Sequence, residues 1–133
     1  MKKTLLERAE TNFHTITLIN NKEEVWDSVI VNAHQMVELS IKALLKKKFG
    51  DYPKTHNLNK LLRESNESDL YKKYYNLAIS LTELYFELVD EQEDEQIIGE
   101  SLCSEELDSK QYYATVYDAI SLYSDIKKLI DNK

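Results

Sequence analysis

Two glycines, one proline, one cysteine and one tryptophan are all that the 133 residues hold of those four types. All-β sandwiches and barrels reverse direction many times and use Gly and Pro turn chemistry to do so, which leaves a helical chain as the expectation. The lone cysteine, Cys103, has no internal disulfide partner. Neither a second cysteine nor a clustered histidine stands at zinc-ligand spacing, so no metal site is expected and a reducing compartment is. Long apolar runs are missing too. None approaches the roughly 20 residues of a membrane span, and the opening MKKTLLERAETNF is interrupted by Glu7, Arg8 and Glu10 where a signal peptide needs an apolar stretch. These absences predict a soluble, cytoplasmic protein with no membrane partner. Gly-rich phosphate loops, Ser/His/Asp arrangements and zincin motifs are also absent, and no cofactor is expected.

Positive charge is missing from one long segment. Between Tyr74 and Ser109 lie eleven acids and no Lys, Arg or His, so removing them from the net −7 leaves +4 for the remainder. The lysine run Lys46, Lys47 and Lys48 marks the opposite extreme. It reads as a solvated helix end or as a patch that attracts phosphate.

What is present is helical periodicity. Leu5, Ala9, Phe13, Ile16 and Ile19 recur at steps of three and four, predicting a first helix that ends near NNK. A second, from about Glu23, carries apolar residues from Trp26 to Leu45 in a stripe too broad for one neighbour, and is expected at the centre of the molecule. Gly50 suits the left-handed residue that closes it. Pro53 disfavours helix at Tyr52, and Thr55 or Asn57 can cap a short helix through LNKLLRE. Leu70, Tyr74, Leu77, Leu81, Tyr85 and Leu88 stripe a fourth helix, and Tyr113, Val116, Ile120, Tyr123, Ile126 and Ile130 a last one from about Ser109. Between them, residues 90–108 are acidic, lack a sustained apolar period and are expected to form a long loop. At this length the chain predicts a single domain over 1–133. The fold class is all-α: an antiparallel up-down four-helix bundle with an additional short helix.

Two stretches carry a family resemblance. HQMVELSIKALLKKKFG, with Gln35, Glu38, Lys42 and Ala43, and the following THNL resemble the Q-x-x-E-x-x-x-K-A run and T-H-[DN]-L step of the HEPN domain (higher eukaryotes and prokaryotes nucleotide-binding). The resemblance implies a bundle that pairs as a homodimer and binds nucleotide or RNA. It also implies a partner nucleotidyltransferase in toxin–antitoxin or defence loci. Some members are metal-independent ribonucleases that carry an Arg, four to six residues and a His in the later part of the domain. There His moves the proton of a 2′-hydroxyl and Arg stabilises charge on the phosphate.

This chain departs from that pattern. No histidine follows His56, and the only arginine beyond Arg8 is Arg63. Arg8 and His14 have the spacing, but six helical steps place them about 240° apart. The family's Arg-Tyr-Pro before the last helix is also lacking, leaving Tyr112 and Tyr113 in SKQYYATVYDAI. The expectation is therefore a homodimeric nucleotide- or RNA-binding or regulatory module with no assigned catalytic residue. The alternatives are a metal-independent endoribonuclease using His14 or His56 with Arg8 or Arg63, and a non-catalytic interaction module.

The residues singled out for ligand binding are His34, Gln35, Glu38, Lys42, His56 and Tyr112. Glu38 and Lys42, four apart with the acid first, form an ion pair along the helix. With Gln35 and His34 they could instead line a polar seam at a dimer cleft. His56 could hydrogen-bond back to the second helix as a structural residue, and the nine tyrosines read first as packing and only second as base-stacking surfaces.

Overall fold

The structure, a computed structural model, describes residues 4–18, 26–93 and 109–131. Among the described residues five helices run, α1 Leu5–Leu18, α2 Trp26–Phe49, α3 Leu58–Glu64, α4 Ser68–Glu93 and α5 Ser109–Asp131, and there is no strand. The expected junction between the first two helices falls within 19–25, outside the described residues, as does 94–108 of the acidic segment with Cys103. Residues 90–93 belong to α4 rather than to the expected loop, in keeping with the good helix propensity of Glu and Gln.

Cross-helix contacts fix the directions. Lys42 lies on α2 a turn from Lys46, and Lys46 and Lys47 meet Leu5 and Leu6, whereas Gln35 and Glu38 meet Arg8 and Asn12; α1 and α2 are therefore antiparallel. Lys48 reaches Glu67 while His34 stacks on Tyr85, making α4 antiparallel to α2. Tyr74 bonds Asp125, and Leu84 faces Ala114 across a groove, so α5 is antiparallel to α4. An up-down-up-down bundle with α3 as an interposed short turn of helix follows.

Helix α2 is the axis. From Trp26 to Leu45 it buries residues on most of its circumference, against α1, α3, α4 and α5. It ends at Gly50, whose φ of +87° is the left-handed conformation an L side chain rarely adopts and whose N–H donates to the Lys46 carbonyl at 2.8 Å. Asn57 is the cap of α3, its Oδ1 accepting from Lys60 N–H at 3.2 Å. Thr55 instead closes a turn by accepting from the Asn57 N–H. The Thr82 hydroxyl on α4 accepts from Leu58 N–H at 3.1 Å and pins α3 to the bundle.

In α5 the buried face is centred one residue away from the expected stripe. Tyr112, Ala119, Leu122, Tyr123 and Ile126 are buried, whereas Tyr113 is 47% exposed. The cause is the stack of Tyr112 on Trp26, with ring centroids 4.4 Å apart, which turns the neighbouring Tyr113 outward.

Candidate ligand cavity

A cavity of about 350 Å³ opens where α1, α2, α4 and the strap before α3 meet. Helix α1 contributes Arg8, Thr11 and Asn12, three residues on one helical strip because they stand three and four apart. Helix α2 contributes Gln35, Glu38 and Leu39 by the same spacing. The strap contributes His56 and α4 contributes Tyr85. Gly50 and Pro53 shape that strap: the first lets the chain leave α2, the second keeps it extended until Asn57 starts the next helix.

Glu38 forms the buried floor. Its Oε2 accepts from Lys42 Nζ at 2.7 Å, and both its oxygens lie 3.0 Å from His56 Nδ1. Glu38 and Lys42 side chains are only 7% and 10% exposed, so each charge depends on the other for compensation. A carboxylate accepts only, so Nδ1 of His56 carries the proton it donates, and in the neutral tautomer of that kind Nε2 keeps a lone pair. The His56 side chain is 57% exposed, at the cavity wall.

His34 sits behind this pair, fully buried, its ring stacked on Tyr85 with centroids 3.9 Å apart and planes 7° apart. Its Nε2 donates to the His56 backbone carbonyl at 2.9 Å, tying the strap to α2. Burial pushes its pKa down to about 4, the Glu38 carboxylate only partly opposing this. With the ring neutral and its proton on Nε2, the 3.5 Å approach of Nδ1 to Glu38 is not an ion pair.

The residues expected at the site are therefore divided. His34, Glu38, Lys42 and His56 form one network, with Gln35 exposed on the cavity wall. Burial of His34, Glu38 and Lys42 is supplied by the chain itself, so the polar seam needs no second copy and no longer argues for a dimer cleft. Tyr112 stands apart as a core residue: it is fully buried on Trp26, its pKa pushed up to about 12, first by burial and then by Tyr113. His14 is exposed and tilts against Phe13 without reaching the cavity.

The sequence offered His14 or His56 with Arg8 or Arg63, and the fold places Arg8 and His56 on the wall of one cavity that His14 does not line. Thr11 and Asn12 were missed, although they share a helical strip with Arg8 beside the apolar stripe of α1. Among the described residues no ion pair engages the Arg8 guanidinium. The lysine run is mostly occupied structurally: Lys47 donates to the Ile130 carbonyl at the end of α5, and Lys48 to the Ser65 carbonyl at 2.6 Å and to Glu67 at 2.7 Å. Among the described residues no three His, Cys, Asp or Glu side chains are grouped to hold a metal ion, and no helix is long and apolar enough to cross a membrane.

An all-helical up-down bundle with a polar network beneath a small cavity defines the class of protein. The HEPN domain model matches residues 3–131, nearly the whole chain. The chain belongs to the HEPN domain family, a helical module related in general to nucleotides and RNA. No curated protein and no solved structure gives a match.

Proposed function

We propose that the chain is a nucleotide- or RNA-binding regulatory module whose ligand enters the cavity between α1, α2, α4 and the strap. The observation that carries this reading is the Arg8 guanidinium, without an ion pair among the described residues, in the same cavity as an imidazole anchored on Glu38. A guanidinium offers five donors in a planar fork suited to phosphate oxygens, and His56 adds a second polar group whose orientation is already fixed. Gln35 and Asn12 bring amides that can meet base edges, and Leu39 supplies an apolar wall. Among the described residues Arg8 is the one Lys or Arg that lines the cavity, too few for the multiple phosphate contacts that drive polynucleotide binding, which favours a single nucleotide or one flipped-out unit of a strand. Titration calorimetry with a nucleoside monophosphate and with a short single-stranded RNA tests the reading: binding lost in Arg8→Ala supports it, and binding indifferent to that change removes the cavity from consideration.

The homodimer and the pairing with a nucleotidyltransferase, in a toxin–antitoxin or defence setting, belong to the same proposal and rest on the family. Sedimentation equilibrium of the purified chain, alone and with such an enzyme, tests both.

A metal-independent ribonuclease is the second reading, favoured by the Glu38–His56 contact. A lone pair at His56 Nε2 can take the proton of a 2′-hydroxyl; its oxygen then attacks phosphorus, the 5′-oxygen departs, and Arg8 stabilises the charge on the non-bridging oxygens. The Arg and His would come from α1 and the strap rather than from the family's later motif. RNA cleavage in the presence of chelator that disappears in His56→Ala supports this reading. Cleavage unchanged by the substitution would come from a contaminant.

A further inference from the structure

We propose that the groove between the C-terminal half of α4 and the N-terminal half of α5 docks a basic amphipathic helix of a partner protein. The groove shares no lining residue with the Arg8 cavity, and the proposal stands apart from the nucleotide-binding reading.

Tyr74 clamps α4 to α5 through Asp125, and about two turns further along α4 the same two helices border a groove of about 760 Å³. Leu84 and Phe86 form its apolar wall on α4, while Ser80 and Ala114 are small enough to let another backbone approach. Phe86 is turned outward because its neighbour Tyr85 is committed to the core, where it stacks on His34. Tyr117, three positions beyond Ala114 on α5, is 71% exposed and continues the aromatic surface past the groove. Exposed aromatic area bordered by polar groups marks a surface that a partner covers. From Ser80 to Glu87 the groove runs about 10 Å, room for about two turns of a helix laid along it. An extended peptide needs a free sheet edge instead, and there is no strand among the described residues.

The rim sets the charge of the occupant. Glu83 and Glu87, four apart, share one strip of α4 beside the groove, and no Lys, Arg or His lines it. Residues 74–93 hold five acids and no basic residue, and the sequence continues with six more acids and again no basic residue in 94–108. Neither α4 nor the connection that follows it brings a counter-charge to this rim. A second copy presents the same rim and the same net charge of −7, so charge complementarity selects a different molecule. A helix with Lys or Arg residues one turn apart pairs with Glu83 and Glu87 while its apolar strip rests on Leu84 and Phe86, and a cation reaching the Phe86 ring face adds to the contact.

The test is heteronuclear NMR titration of the intact chain with an amphipathic Leu/Lys peptide of about 18 residues, long enough to hold a helix, and with the same peptide carrying Glu at every Lys. The resonances of Ser80, Phe86, Ala114 and Thr115 are expected to move with the Lys peptide and to stay in place with the Glu peptide. Glu83→Lys is expected to weaken binding about fivefold, whereas Glu64→Lys, the same change of net charge at an exposed position on α3, leaves it unchanged. Ala114→Arg, an exposed helical position given another good helix former, fills the groove and abolishes binding with helix content retained by circular dichroism. Equal losses in Glu83→Lys and Glu64→Lys would reduce the contact to net charge and overturn the proposal, as would shifts confined to other surfaces or no binding of either peptide. Sedimentation of the chain alone gives a second check. Self-association broken by Ala114→Arg would assign the groove to another copy and overturn the choice of partner, and an oligomeric state indifferent to that substitution agrees with it.

Discussion

Both carboxylate oxygens of Glu38 stand 3.0 Å from the Nδ1 of His56, a residue 18 positions further along the chain, while Lys42 closes on the same carboxylate from one helical turn away at 2.7 Å. One acid thus anchors a strap to a helix and fixes the polarity of a cavity-wall imidazole. Because the pair is buried, removing one charge strands the other. Lys42→Met is expected to destabilise the fold by about 3 kcal/mol, and the double change Lys42→Met with Glu38→Gln to recover most of that loss. Urea unfolding of the two single variants and the double variant measures the coupling.

His34 makes stability depend on pH in a definite sense. Its folded pKa of about 4 lies below the ordinary 6.5, so the unfolded state binds the proton more readily and stability falls as pH drops from about 6.5 toward 4. Between pH 7.5 and 5 the loss attributable to this group is about 2 kcal/mol. The difference in pH slope between wild type and His34→Gln isolates it from the other titrating groups.

Tyr112 carries a buried hydroxyl with no hydrogen-bond partner among the described residues, stacked on the sole tryptophan. Tyr112→Phe keeps the ring and discards the unpaired polar group. It is expected to leave stability unchanged or to raise it by about 1 kcal/mol, with Trp26 fluorescence reporting the unfolding transition.

Tyr74 interrupts α4 with φ −112° and ψ 16°, and its hydroxyl donates to Asp125 Oδ2 at 2.6 Å, clamping α4 to α5. That hydroxyl, with Lys73 beside it, holds the Asp125 carboxyl below its ordinary value. The stabilisation is present above the ordinary carboxyl range and is lost as pH falls through the folded pKa. Tyr74→Phe should cost about 1 kcal/mol at neutral pH and remove this contribution to acid sensitivity, as measured by unfolding at pH 7 and below pH 4.

The bundle is legible because its determinants are local. The periodic stripes of α2 and α4, the left-handed Gly50 and the Asn57 cap all act within a few residues of themselves, and each was recoverable from spacing. Even the start of α1 was available: Thr4 and Glu7 cap one another reciprocally at 3.1 and 2.9 Å, the expected geometry of a Thr-x-x-Glu box. The phase of α5 was not, since Tyr112 and Tyr113 are chemically identical and only Trp26 across the core decides which ring turns inward. The candidate site divides along the same line. His34, Glu38 and Lys42 share one helical strip and were found together, but the presence of Arg8 and His56 on one cavity wall is a tertiary event that joins residues on α1 and the strap. Spacing along one helix carries no record of it.

The most direct measurement is NMR of the three histidine side chains during titration with adenosine 5′-monophosphate. The account predicts that the His56 ring resonances move with ligand, that His14 stays in place, and that the response disappears in Arg8→Ala with the fold intact. A wild-type titration in which His56 stays still, or in which its response survives removal of the Arg8 side chain, would contradict a ligand site built from Arg8 and His56.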